Sequence, residues 1–146
     1  PQQHIRDLGV RIKFNILRDV IRGKRIVIVD DSIVRGTTSK KRVKELRRAG
    51  AKEVHMRISC PPHRFPCFYG IDFHTQKELI AFTNSLKEIQ EFLEVDSLGY
   101  LSLEGMLKAA SFPKENYCVA CFNGDYPVKF DDKVSKYALE KKCCGL

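Results

Sequence analysis

A strand-like apolar run, a basic amphipathic helix and a second strand follow one another between residues 25 and 59, joined by short turns. This order constrains the fold more than any other feature. Residues 25–30, RIVIVD, carry the continuous run Ile26-Val27-Ile28-Val29, the pattern of a parallel strand covered on both faces. Over residues 38–49, Val43, Leu46 and Ala49 make a narrow apolar stripe, Lys and Arg fill the other faces, and Gly50 stands where a C-cap belongs. Over residues 53–59, Val54, Met56 and Ile58 alternate with polar side chains, as in a strand. Strand, helix and strand make a βαβ unit, and with it a parallel sheet and a right-handed crossover.

The flanks are less regular. Residues 1–15 are polar and basic and read as a loop or mobile segment; Phe14, Leu17 and Ile21 then fall at helical spacing until Gly23. Pro61, Pro62 and Pro66 make residues 61–75 a loop. Thr75-x-x-Glu78 and Ser85-x-x-Glu88 are two capping boxes, predicting two short helices, the second with Leu86, Ile89 and Leu93 on one face. Residues 97–101 suit a short strand, and Leu103, Met106, Leu107 and Ala110 line another helix. From Ser111 the chain is irregular and rich in aromatic residues. The expected class is α/β, a parallel sheet flanked by helices over residues 1–110, with a C-terminal extension over residues 111–146.

Composition bounds the function. With 146 residues, 43% apolar and 30% charged, the chain has about one domain's length and no signature of disorder. Its net charge of +8 suits nucleic acid or a phosphorylated small molecule. No apolar run approaches the roughly 20 residues of a membrane helix, and the opening PQQHIRDLGVRIK lacks a secretory apolar core. A nucleic-acid binder is supported only by charge; the expectation is a cytoplasmic protein with no membrane and no nucleic-acid partner, whose six cysteines are reduced thiols or metal ligands.

The chemistry concentrates in VDDSIVRGTT, residues 29–38. Asp30 and Asp31 stand at the carboxyl end of the first strand, where open α/β sheets bind ligands. Gly36, Thr37 and Thr38 lead into a helix N-terminus, whose free N–H groups and dipole attract an anion. Gly36 lets backbone approach a phosphate that a side chain would crowd, and the threonines add hydroxyl donors. The turn thus suits a phosphate, and the carboxylates suit sugar hydroxyls or a hard cation such as Mg²⁺. A plain strand–turn–helix needs one capping acid rather than two.

Two families carry such a stretch. RIVIVDDS followed by KKRVKELRRAGA resembles the start of a receiver signalling module, whose paired acids bind Mg²⁺. A receiver needs a later strand ending in a phosphoacceptor Asp; Asp72 is the only offer, and the prolines before it break the strand. Apolar residues, two acids and a Gly-Thr turn resemble instead the signature of type I phosphoribosyltransferases, which bind phosphoribosylpyrophosphate (PRPP). VDDSIVRGTT, AGAKEVHMRISCPP, PCFYGID, ELIAF, LSLEGML and CVACFNGDYP together resemble one branch of it, the glutamine PRPP amidotransferases.

That resemblance implies a partial type I phosphoribosyltransferase domain. It implies conversion of PRPP, glutamine and water to phosphoribosylamine, glutamate and pyrophosphate, the first step of de novo purine biosynthesis. Asp30 and Asp31 match the family's acids at the ribose hydroxyls and the Mg²⁺–pyrophosphate region, and Ser32, Arg35, Gly36, Thr37 and Thr38 match its 5′-phosphate loop. Residues 1–13 resemble the end of a lid, whose Arg6, Arg11 and Lys13 would meet pyrophosphate or solvent. The family's glutaminase half, with its N-terminal nucleophilic cysteine, has no counterpart here, so the resemblance implies a C-terminal fragment. Further implied partners are glutamine-derived ammonia, purine nucleotide inhibitors and other copies of the enzyme, usually in a homotetramer.

Four cysteines leave their chemistry open. Cys60, Cys67, Cys118 and Cys121 could form a zinc site, with a first gap longer than zinc ribbons usually show, or could be plain thiols. One branch of the family carries a 4Fe-4S cluster, whose ligands match Cys67, Cys118 and Cys121 with a fourth outside this chain. Such a cluster would anchor a tail that has little apolar periodicity of its own. Cys60 then packs, and Cys143 and Cys144 have no assigned role; CCGL does not meet the aliphatic requirement of a prenylation box. His55 and His74 read as surface or loop residues.

Overall fold

The computed structural model describes residues 16–71 and 75–128. The chain order is α1 (Arg18–Ile21), β1 (Arg25–Asp30), α2 (Thr37–Arg48), β2 (Glu53–Ile58), a 3₁₀ turn (Gln76–Glu78), α3 (Ile80–Thr83), α4 (Leu86–Leu93), β3 (Ser97–Tyr100), α5 (Leu103–Ala109), a second 3₁₀ turn (Lys114–Asn116) and α6 (Ala120–Asn123). The three strands form one parallel sheet in the order β1-β2-β3. Arg25 pairs with Glu53 and Asp30 with Ile58 across the first ladder, so β1 and β2 end level with each other. The predicted α/β class and its βαβ unit are therefore present.

The core lies on one face of this sheet. Val54, Met56 and Ile58 of β2 and Leu98 of β3 pack with Val43 of α2 and with Ile89 and Leu93 of α4. Val54, Met56, Val43 and Leu93 are fully buried. α4 begins on the predicted capping box: the Ser85 Oγ accepts from the Glu88 amide at 3.3 Å, and the Glu88 carboxylate accepts from the Ser85 amide at 2.7 Å. Asp96, just before β3, accepts from the Val54 amide at 2.6 Å and from Arg47 at 2.7 Å. These two bonds tie β2 and α2 to the start of β3, and the Val54 amide above all holds the Asp96 carboxyl below its ordinary range.

Two expectations are corrected. Among the described residues, the first strand is covered on one face only. Ile26 and Ile28 turn toward the helices, whereas Val27 and Val29 are 58% and 73% exposed on the other face. Strand side chains alternate, and β1 is an edge strand whose outer-face neighbours on β2, His55 and Arg57, are polar. The second correction concerns Thr75-x-x-Glu78. It opens a 3₁₀ turn, Thr75 makes no side-chain cap, and Glu78 pairs instead with Arg35.

The proline-rich loop and the tail meet. The amides of Arg64 and Phe65 both donate to the Cys121 carbonyl at 3.1 Å. The Tyr126 hydroxyl donates to Pro66 at 2.6 Å, and Tyr69 exchanges hydrogen bonds with the backbone of Val128. Phe68 and Tyr126 meet edge to face at 5.2 Å. Among the described residues, backbone bonds and aromatic rings join the tail to this loop. Among the described residues no helix is long and apolar enough to cross a membrane. Residues 1–15, with the expected lid cations, and His74, Cys143 and Cys144 lie outside the described residues.

Candidate functional site

The turn after β1 makes the site. Asp30 is the last residue of the strand, and the chain then crosses to α2 through Asp31–Gly36. Gly36 is the N-cap of α2 and adopts φ +74°, ψ −7°, the left-handed conformation that glycine adopts without strain. No side chain caps the helix, so the first-turn amides of Thr37, Thr38 and Ser39 face the turn. Residues 30–39 and Arg42 line a cleft of about 490 Å³. Every residue expected to hold PRPP lines it: Asp30, Asp31, Ser32, Arg35, Gly36, Thr37 and Thr38.

The two acids are not equivalent. Asp30 is about three-quarters buried; its Oδ2 accepts from Arg42 at 2.7 Å, and its Oδ1 accepts from the Asp31 amide at 3.2 Å. Asp31 is exposed, and its Oδ1 accepts from the Ser32 hydroxyl at 2.9 Å. One carboxylate is thus held by a cation, and the other faces the cleft. Arg42 was not singled out in the sequence. Its signal was its place four residues after Thr38, on the same helix face as a residue of the phosphate turn.

Besides its positive φ, Gly36 meets a second constraint. A Cβ there would lie 3.0 Å from Ile80 Cδ1 and from Phe92 Cε1. These two side-chain ends belong to α3 and α4, behind the turn.

Behind Asp31 stands a second group. The Cys60 sulfur lies 3.8 Å from His63 Nδ1, and the buried His63 ring packs on Phe122 at 4.8 Å. Burial pushes the His63 pKa down, against the opposing pull of Asp31. Burial, then Asp31 and Cys121, pushes the Cys60 thiol up to about 11. Cys121 is likewise pushed up to about 11, by burial first and then by Cys67 and Cys118. The three expected cluster ligands therefore share one neighbourhood, and the Tyr69 amide donates to the Cys67 sulfur at 3.4 Å. All four described cysteines are free thiols, and no group of three or more metal-capable side chains is assembled among the described residues.

Comparison with known proteins shows what the chain is similar to. No family model matches the chain. It is 57% identical over 139 residues to the amidophosphoribosyltransferase of Synechococcus elongatus, covering 95% of this chain and 28% of that protein. It is 58% identical over 142 residues to that of Synechocystis, covering 96% and 29%. This chain is homologous to part of the amidophosphoribosyltransferases. It spans less than a third of the length of these curated relatives. Among solved structures, the glutamine PRPP amidotransferase of B. subtilis, in complex with ADP and GMP, superposes with a TM-score of 0.77 at 48% identity, covering 92% of this chain and 30% of that one. A second, described as the allosteric regulatory enzyme of purine biosynthesis, gives a TM-score of 0.76 at 50% identity, with the same coverage. The fold class and the amidotransferase resemblance agree with these relatives. The receiver alternative finds no support: no strand follows β2 before Gln76 among the described residues, and Asp72 lies outside them.

Gly36→Ala should destabilise the protein by about 1–3 kcal/mol, from backbone strain and overpacking. Chemical denaturation of both forms measures it; equal stability would mean that the turn relaxes without cost.

Proposed function

We propose that this chain forms the PRPP-binding part of an amidophosphoribosyltransferase, and that the cleft lined by residues 30–39 holds the phosphoribosyl group. The supporting observation is the pairing of opposites in one cleft: a carboxylate pair at a strand's end beside the uncapped N-terminus of α2. The amides of Thr37, Thr38 and Ser39, with the Thr hydroxyls and Arg35, would bind the 5′-phosphate. Asp31 would accept from ribose hydroxyls, and Asp30, held by Arg42, would fix the distance between the two halves. Ammonia then attacks the anomeric carbon while the bond to pyrophosphate breaks and its electron pair leaves with pyrophosphate. Carboxylates beside the ring favour the positive charge that builds up there.

The donor set fits Mg²⁺. Asp31 offers a hard oxygen donor in an exposed position, and this ion is held by few carboxylates together with substrate phosphates. When bound, it would neutralise the departing pyrophosphate. The complete protein would add a glutaminase half supplying ammonia, purine nucleotides that compete for the same anion site, and a homo-oligomeric, cytoplasmic assembly. Residues 1–110 and 111–146 would divide into catalytic part and extension.

Cys67, Cys118 and Cys121 supply soft sulfur donors from two segments, with an amide already donating to one sulfur, which fits an iron–sulfur group. Burial pushes the Cys121 thiol up to about 11, so it ionises at neutral pH only when a cation offsets the charge. The reaction is not a redox step, so a 4Fe-4S cluster here would be structural, and a fourth ligand would come from outside this chain.

Two experiments test these assignments in the full-length protein. Asp30→Asn with Asp31→Asn should lower ammonia-dependent transfer by about 10²-fold or more, with an unchanged circular dichroism spectrum. Activity near wild type would refute the role of the acids. Protein purified without air should contain iron and inorganic sulfide in equal amounts, and Cys118→Ser should abolish the brown colour. A colourless zinc protein, or colour that survives Cys118→Ser, would refute the cluster.

A further inference from the structure

We infer that Glu78 is a positioning residue for the PRPP site, acting through Arg35. This rests on the reading of residues 30–39 as the phosphoribosyl cradle. Glu78 lies 43 residues from Arg35 in sequence and outside the cleft, yet its Oε2 accepts from Arg35 Nη2.

Three contacts from one short segment reach three consecutive residues of the turn. Glu78 holds the Arg35 guanidinium, the Ile80 amide donates to the Val34 carbonyl at 2.9 Å, and Ile80 Cδ1 fills the space beside Gly36. The backbone contact fixes the height of the turn, the methyl fixes its back, and the carboxylate fixes the direction of its cation. Glu78 gives up a local alternative to do so. In its Thr-x-x-Glu frame it is placed to cap its own turn, but Thr75 has no side-chain cap.

The geometry suits bracing. A guanidinium has five N–H donors, and this pair engages it through Nη2, so donors on another edge can still reach a phosphate. Both side chains are nearly half exposed, so the pair adds little to global stability. Its effect falls on the orientation of Arg35.

The test is a double-mutant cycle on the full-length enzyme with Arg35→Ala and Glu78→Ala, reading KM for PRPP, kcat and thermal unfolding. Glu78→Ala should raise KM roughly fivefold, with kcat and the unfolding temperature unchanged. Arg35→Ala should raise KM about tenfold or more, and the double variant should match Arg35→Ala alone. Glu78→Gln, which keeps the side chain's shape, should give an intermediate KM and carries the test if the alanine variant does not fold. Additive effects, an unchanged KM in both Glu78 variants, or a lowered KM, which would make Glu78 a competitor of phosphate, would each overturn the inference. If Arg35→Ala itself leaves KM at the wild-type value, the cradle reading fails at this residue, and the inference fails with it.

Discussion

At φ +74°, Gly36 converts the end of a parallel strand into the start of a 12-residue helix with its first-turn amides open. The rest of the site follows from that conversion. A Cβ would meet Ile80 and Phe92 at 3.0 Å, so the turn is seated directly on the helices that close the core. With the turn seated there, Asp30 and Arg42 pair from strand and helix, and both line the cleft. The scaffold is the parallel β1–β2 ladder, which sets Asp30 level with Ile58 and leaves the turn beyond the sheet.

The cleft joins two electrostatic demands that would conflict in a single pocket. Anionic phosphate needs N–H donors and cations; hydroxyls and a metal need carboxylates. The chain separates them along the turn. Asp30 is offset by Arg42, so the exposed carboxylate charge in the cleft is chiefly that of Asp31. Arg35 is partly offset by Glu78. Each charge in the turn thereby has a fixed direction before any ligand arrives, which lowers the ordering cost of binding.

The βαβ unit and the acid pair were legible because both are local. Period-two and helical spacing mark β2 and α2, and a run such as DDSIVRGTT carries its chemistry in consecutive residues. What was not legible depends on partners distant in sequence. The apolar run of β1 reads the same whether one face or two are covered, and only the sheet order exposes Val27 and Val29. Thr75-x-x-Glu78 satisfies the capping pattern, but Arg35, 43 residues away, takes the carboxylate. Arg42 looked like one of many surface cations on a basic helix. The tail showed no apolar periodicity because its anchors are backbone bonds to Cys121 and the hydroxyls of Tyr69 and Tyr126.

The central claim is that a strand-end acid pair and a helix N-terminus divide one PRPP molecule between them. The most direct measurement is a crystal structure of the full-length protein with PRPP and Mg²⁺. The 5′-phosphate should lie within hydrogen-bond distance of the Thr37, Thr38 and Ser39 amides, with the ribose hydroxyls at Asp31 and the Arg42–Asp30 pair intact. A 5′-phosphate bound away from these amides, with PRPP ordered elsewhere in the protein, would contradict the claim.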